Sequence, residues 1–174
     1  LEDFSPAIEV YSIDEAFLDL RGMENIDFDA YAKKIAAECW RQTSIPVSVG
    51  IAPSKTLAKI ASKLCKQYPK LRGGCYMHRP QDIEKVLRKF PIEDVWGIGR
   101  KSCAKLLSMG VKTAWDYSQL PENTVRKMLA LPGVRTWREL RGEPCIEFED
   151  GFEAKQSICV SRSFAKEITD VDEL

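Results

Sequence analysis

Two adjacent carboxylates, Asp14 and Glu15, lie within an otherwise apolar stretch of the chain. Neighbouring negative charges repel each other unless a positive charge is placed between them. Mg²⁺ supplies such a charge, and phosphoryl transfer with two metal ions uses carboxylates fixed on a rigid sheet, with the ions about 4 Å apart. Taken alone, however, the pair favours an ordinary exposed hairpin turn, because acidic residues are common in turns.

Four lysines follow at helical spacing. They recur at intervals of four, four and three residues, so a helix places them in one row, called here the lysine row: Lys55, Lys59, Lys63 and Lys66. Such a row either binds phosphate groups or forms a solvated helix face. Both interpretations stay open for Lys55 and Lys63.

A glycine-containing segment, residues 95–100, is typical of the hairpin in a helix-hairpin-helix. Gly97 and Gly99 allow the backbone to turn tightly and to approach a ligand closely. The amides that open the next helix, near Arg100 and Lys101, then point at a phosphate and hold DNA without reading its sequence. A plain turn between helices is the alternative, but the basic helix that follows favours phosphate binding.

The hydrophobic pattern predicts the elements that position these groups. Two short strands within residues 7–20 flank the carboxylates, and apolar alternation or helical periodicity predicts a helix at 28–42, a strand at 47–51, a helix from Pro53-Ser54 to about 67, a strand at 75–77 and a helix at 80–89. This order predicts an α+β fold with a mixed sheet and helices packed on it.

From about residue 91 the pattern changes to short helices with glycine and proline between them, which predicts a second, all-helical domain. The candidate helices are 100–109, 113–118, 121–130 and 134–142, with a helix-capping turn at 131–134. Residues 143–157 are typical of an acidic linker, and a strand is predicted to begin near residue 158. The four tryptophans, which are dispersed over helical elements, are expected to pack in the core.

Charge is distributed unevenly along a chain of zero formal net charge. Residues 1–51 carry 4 basic and 10 acidic side chains, residues 52–142 carry 19 and 7, and residues 143–174 carry 3 and 9. A basic block between acidic ones indicates either a polyanion-binding surface beside an acidic site or a solvated basic face.

Composition narrows the class of protein further. With 174 residues, 44% of them hydrophobic, the chain can bury one solid core or two smaller ones. No apolar run approaches the roughly 20 residues that span a bilayer, and the acidic start is unlike a signal peptide. The 6 cysteines are scattered and there is 1 histidine, so we expect reduced thiols, no zinc site and a cytoplasmic location. The start without Met is typical of a piece of a longer protein.

Several blocks resemble one family. Residues 11–20 (YSIDEAFLDL) resemble the catalytic palm motif of Y-family translesion DNA polymerases, and residues 49–61 are similar to that family's next palm strand and helix. Residues 96–100 and 136–145 most resemble the UmuC branch of that family. UmuC proteins are a subunit of bacterial DNA polymerase V. The blocks follow the family's order over nearly the whole chain.

The resemblance implies a role for individual residues. Asp14 would bridge two catalytic Mg²⁺ ions, Glu15 would ligate the ion that activates the primer 3′-hydroxyl, and Lys66 would contact the incoming triphosphate. The implied contacts to the DNA backbone are Lys59, Gly97, Ile98, Gly99, Arg100 and Lys101. For Lys59 and Lys55, a structural role is the alternative to a contact with the primer backbone.

The resemblance also implies a domain plan and partners. Residues 1–90 would form an incomplete ferredoxin-like palm that lacks its first strand and the fingers insertion, and 91–142 a small all-helical thumb. Residues 143–157 would be a linker, and 158–174 the opening strand of the little finger. Because a third carboxylate is missing, we expect the fragment alone to be inactive or nearly so.

The expected partners of the whole protein are primer-template DNA, deoxynucleoside triphosphates, a UmuD-derived dimer, a RecA filament and the sliding clamp, in an SOS-type damage response and away from membranes. Two alternatives remain. One is a non-catalytic DNA-binding or assembly module that uses the helix-hairpin-helix, although such a module gains nothing from Asp14 and Glu15 beside DNA phosphates. The other is a nucleotide cyclase with a related palm, against which the helix-hairpin-helix argues.

Overall fold

A computed structural model describes residues 1–23, 25–149 and 159–161. The strands are β1 (Ala7–Val10), β2 (Ala16–Asp19), β3 (Val49–Ile51) and β4 (Gly74–Tyr76), and the helices are α1 (Phe28–Thr43), α2 (Lys55–Gln67), α3 (Pro80–Leu87), α4 (Arg100–Ser108), α5 (Ala114–Ser118) and α6 (Glu122–Leu140). Within these residues, no helix combines the length and the apolar character needed to cross a membrane.

The strands form two separate pairs. β1 and β2 are antiparallel, with Val10 opposite Ala16, and β3 and β4 are parallel, with Val49 opposite Gly74. The predicted single mixed sheet is therefore wrong for the part of the chain that the structure describes, since no ladder joins the two pairs there. Side chains of α2, which connects β3 to β4, link the parallel pair to the hairpin instead.

Two glycines let helices approach the parallel pair closely. Gly50 lies against the backbone of α2, where an added Cβ would collide with Ala58 and Ser62. Gly74 lies against α1, and a Cβ there would be only 2.5 Å from the Lys33 nitrogen. Backbone atoms cannot move aside as a flexible side chain can, so only glycine permits this spacing.

Helix α2 forms where the sequence predicts it. Ser54 is the N-cap, and its hydroxyl accepts a hydrogen bond from the Leu57 amide at 3.4 Å. Leu57 and Ile60 are buried on the face opposite the lysines. The same hydrophobic core continues into the helical region through Ile92 and Leu140, so the core is not interrupted at the predicted domain boundary.

Helix α6 contains one break, and it differs from the predicted turn. Ala130 has φ 54° and ψ −158°, and the helix resumes at once, so residues 131–134 are helical rather than a capping turn. The reason is Pro132: proline lacks an N–H but is tolerated in a first helical turn, where that donor has no partner in any case.

The predicted acidic linker is attached to the rest of the molecule as far as residue 149. Glu139 accepts hydrogen bonds from the amides of Cys145 and Ile146 at 2.8 and 3.2 Å, and Glu9 accepts one from the Glu149 amide at 2.9 Å. Residues 150–157 lie outside the described residues. The strand expected from 158 also lies mostly outside them, and residues 159–161 are exposed and form no strand.

Two side-chain expectations have different outcomes. The cysteines in the described residues are free thiols, and Cys65 and Cys103 are buried. The prediction that the tryptophans pack in the core holds for Trp137 but is wrong for Trp40, which is 55% exposed near the end of α1.

Candidate metal and nucleic-acid site

The two adjacent carboxylates lie at the turn between β1 and β2. The amides of Tyr11 and Ser12 both donate to the Glu15 carbonyl oxygen at 3.0 Å, which closes the turn and exposes both acids to solvent. The Ser12 hydroxyl donates to Asp14 Oδ1 at 2.6 Å. This hydrogen bond lowers the pKa of Asp14, and the nearby charges of Lys66 and Lys59 lower it further.

Three members of the lysine row pair with acids. Lys59 Nζ lies 2.6 Å from Glu15 Oε2, Lys63 pairs with Asp94 at 2.7 Å, and Lys55 pairs with Glu9. Lys66 is exposed and forms no ion pair within the described residues. Lys55 and Lys59 are thus held within the molecule, which is the structural role that was one alternative for them, whereas internal pairing was not among the interpretations of Lys63.

An aromatic cluster connects the carboxylate turn to the glycine segment. Trp96 Nε1 donates to the Tyr11 hydroxyl at 3.1 Å, and the two ring centroids are 5.5 Å apart in an edge-to-face arrangement. Phe17 contacts both rings at centroid distances of 5.7 Å. The Lys59 ammonium lies 5.2 Å from the Tyr11 centroid and 5.8 Å from that of Trp96, within cation–π range.

The glycines of the helix-hairpin-helix segment have different tasks. Gly97 has φ +89°, and a Cβ there would collide with the Thr136 hydroxyl. Gly99 has φ −78° and is the N-cap of α4 without a side-chain cap, with open space in front of it. Among the described residues, no side chain caps the first α4 amides, and Gly99, Arg100 and Lys101 are exposed, as a phosphate site requires.

The remaining segment residues divide between surface and core. Arg100 and Lys101 are exposed and form no ion pair within the described residues. Ile98 is buried, and its amide donates to the Val95 carbonyl at 3.0 Å. Ile98 thus supports the turn from inside, and its amide is already used, which argues against the DNA contact expected for it.

The donor chemistry at the carboxylate turn fits Mg²⁺ as part of a site. Asp14 and Glu15 offer hard carboxylate oxygens, the ligands that Mg²⁺ prefers. Across residues 1–23, 25–149 and 159–161, however, no group of three or more His, Cys, Asp or Glu side chains could hold a metal ion. The turn therefore offers two carboxylates, and a complete metal site there would need at least one further ligand.

Sequence reasoning missed Glu139, which joins three parts of the molecule. Its side chain is fully buried, and its Oε2 accepts a hydrogen bond from the Thr56 amide at 3.0 Å, in the first turn of α2. Its other oxygen binds the residues after α6, and its carbonyl accepts from Ser54 at 2.6 Å. The available signal was a single acidic residue in an arginine-rich helical stretch, residues 135–141 (RTWRELR).

The fold and the site thus define a class: a mixed α/β part that presents paired carboxylates, followed by a helical region with a helix-hairpin-helix. Comparison with protein families identifies that class. Residues 1–63 match the impB/mucB/samB (IMS) family, and residues 80–111 match the helix-hairpin-helix motif of the same family. Lys66 lies outside both matched ranges.

Individual relatives agree with this. The chain is 43% identical over 176 residues to the protein UmuC of Salmonella typhimurium, covering 100% of this chain and 42% of UmuC. Among solved structures it resembles the Y-family DNA polymerase chimera Dbh-Dpo4-Dbh with a TM-score of 0.69 at 26% identity, over 87% of this chain and 44% of the chimera. It also resembles Dbh DNA polymerase in an insertion ternary complex, with a TM-score of 0.65 at 28% identity, over 82% of this chain and 41% of Dbh.

The chain therefore belongs to the impB/mucB/samB family of Y-family DNA polymerases. It spans less than half the length of the relatives that it matches.

Proposed function

We propose that this chain is the central part of a polymerase that adds nucleotides opposite damaged template DNA, by nucleotidyl transfer with two Mg²⁺ ions. One observation carries the proposal. The carboxylate turn, the lysine row and the phosphate-binding segment are joined directly by the contacts of Lys59 and Trp96. These contacts support the proposal, because they bring the proposed metal ligands next to the proposed contact with the DNA backbone.

The proposed reaction is in-line attack of the primer 3′-hydroxyl on the α-phosphate, with pyrophosphate leaving. Bound Mg²⁺ supplies activation of the hydroxyl and neutralises charge on the phosphates. Asp14 and Glu15 hold and orient the metal site together with a further carboxylate. Lys66, whose charge already acts on Asp14, neutralises the triphosphate.

The amides that open α4 and the side chains of Arg100 and Lys101 hold the DNA backbone independently of sequence. In this plan residues 1–90 are the palm, 91–142 the thumb, 143–157 the linker and 158–174 the start of the little finger. On this proposal the isolated chain is inactive or nearly so, because the described residues place no third acidic side chain with Asp14 and Glu15. Lys59 contributes by holding Glu15 rather than by contacting DNA in this state.

The proposal extends to a UmuD-derived dimer, a RecA filament and the sliding clamp as partners of the whole protein, on the basis of the identity to UmuC. A second candidate function is a non-catalytic DNA-binding or assembly module. The open N-terminus of α4 supports that function equally well. The exposed pair of carboxylates favours the enzyme, because it would repel DNA phosphates without a metal.

Primer extension by the full-length protein with Mg²⁺ tests the proposal. Asp14→Ala and Glu15→Ala should each lower the extension rate by at least about a hundredfold, while duplex binding is retained. Asp19→Ala is the matched control, because Asp19 lies on the same hairpin but pairs with Arg21. Undiminished extension by either site variant would refute the metal assignment. A wild type that extends no primer, even with partners added, would favour the binding module.

A further inference from the structure

The contact between Trp96 and Tyr11 joins the proposed DNA-binding segment to the proposed metal-binding turn. Trp96 directly precedes Gly97, the first glycine of the glycine segment, residues 95–100. Tyr11 precedes the carboxylate turn, and its amide donates to the Glu15 carbonyl oxygen at 3.0 Å. The hydrogen bond from Trp96 Nε1 to the Tyr11 hydroxyl, 3.1 Å long, thus connects the two segments across 85 residues of sequence.

A second route runs through Lys59. Its ammonium lies over the rings of both Tyr11 and Trp96, and it pairs with Glu15 Oε2 at 2.6 Å. Trp96 therefore contacts two residues that each hold Glu15, one through the backbone and one through the side chain. A shift of the indole would change both restraints on this carboxylate.

We infer that Tyr11, Trp96 and Lys59 are positioning residues that couple DNA binding at Gly97–Lys101 to metal binding at Glu15. DNA that engages the open end of α4 stabilises one position of the segment, and the indole fixes the Glu15 turn in the matching position. This inference rests on the proposed function, and it adds a specific energetic link between the two sites. Such a link is reciprocal, so bound metal should also tighten DNA binding.

The test measures Mn²⁺ binding to the full-length polymerase by electron paramagnetic resonance, with and without a dideoxy-terminated primer-template and without nucleotide. The absent 3′-hydroxyl removes one direct contact between DNA and metal. Only the Mn²⁺ binding that Asp14→Ala abolishes is counted. The coupling factor is the ratio of the two Mn²⁺ dissociation constants, without and with DNA.

Trp96→Phe removes the indole donor, and Tyr11→Phe removes the hydroxyl that accepts from it. Each variant should lower the coupling factor by about three- to tenfold, the range for loss of one hydrogen bond. The double variant should lower it no further than either single one, because the two changes remove the same interaction.

Trp137→Phe is the matched control, since Trp137 Nε1 also donates a bond of 3.1 Å, but to the Leu120 carbonyl, away from the site. It should lower the thermal midpoint and leave the coupling factor unchanged. A wild-type coupling factor of one, unchanged factors in the Trp96 and Tyr11 variants, or an equal fall in the control would each overturn the inference. Primer extension by the wild type would show that the proposed function stands even then.

Discussion

Helices α2 and α4 are both basic, but their N-termini differ: side chains cap the N-terminus of α2 and leave that of α4 open. The N-terminus of α2 is occupied by Ser54 and by the buried carboxylate of Glu139. The N-terminus of α4 begins at Gly99 without a side-chain cap. The difference separates a helix that builds the site from a helix whose amides and charges are available to an external phosphate.

The side chains follow the same division. Three lysines of α2 form ion pairs, two of them with acids of the β1–β2 hairpin: Lys55, Lys59 and Lys63. Arg100 and Lys101 have no such partner in the described part of the chain. The strongly basic stretch counted along the sequence is therefore not a uniformly basic surface, because the acidic stretch before it neutralises much of α2.

Removal of the carboxylate that caps the N-terminus of α2 should have the largest effect on stability. Glu139→Ala would leave the buried amide of Thr56, and those of Cys145 and Ile146, without an acceptor. We expect a loss of about 3 kcal/mol in unfolding free energy, seen as a lower thermal midpoint of the full-length protein. Glu143→Ala, at an exposed position close by, should change the midpoint little. Equal midpoints for the two variants would show that Glu139 does not close α2.

The glycines before α4 give a second prediction, with a smaller expected change in stability. Gly97→Ala forces a side chain into a left-handed conformation and against Thr136, at a cost of about 2 kcal/mol. Gly99→Ala meets open space at an ordinary φ and should change stability by less than about 1 kcal/mol. Thermal unfolding of both variants checks this. A Gly99 variant as unstable as the Gly97 variant would mean that the end of α4 is not open.

Much of this division could be predicted from the sequence where local chemistry decides it. The cap at Ser54, the spacing of the lysines and the two glycines of the helix-hairpin-helix are local signals, and the structure has the elements that they predict. Ion pairs such as Lys55 with Glu9 join residues far apart in sequence. Helical spacing shows that lysines share a face, but it gives no information about what that face meets.

The candidate site shows the same limit. Asp14 and Glu15 were assigned from the resemblance of residues 11–20 to the palm motif, because the pair alone favours an exposed turn. The contact of Trp96 with Tyr11 was not, because dispersed tryptophans most often pack in a core, and this one packs against the carboxylate hairpin. Glu139 was missed because burial of its carboxylate depends on amides from two separate segments, at Thr56 and at Cys145 and Ile146.

The unpaired charges of α4 give a third prediction. Lys101→Ala should weaken duplex binding by the full-length protein and lower the slope of log affinity against log salt by about one, as expected for loss of one phosphate contact. Lys63→Ala should leave the slope unchanged, because Asp94 already neutralises Lys63. Salt titrations of DNA binding measure both. A reduced slope in the Lys63 variant would show that α2 also contacts phosphate.

The smallest expected effect concerns the pH dependence of the carboxylate turn. The Ser12 hydrogen bond lowers the pKa of Asp14, so the carboxylate stays ionised to lower pH than an isolated aspartate. Ser12→Ala should raise this pKa and move the acid limb of kcat/KM for primer extension to higher pH. Ser62→Ala is the control, because the Ser62 hydroxyl donates to a distant carbonyl at 3.0 Å. High salt should raise the limb further, since it screens Lys66 and Lys59 but not the hydrogen bond. Coincident limbs for the Ser12 variant and the wild type would assign the lowered pKa to the charges of α2 alone, and the closed helix would then act on the site through its field as well as its packing.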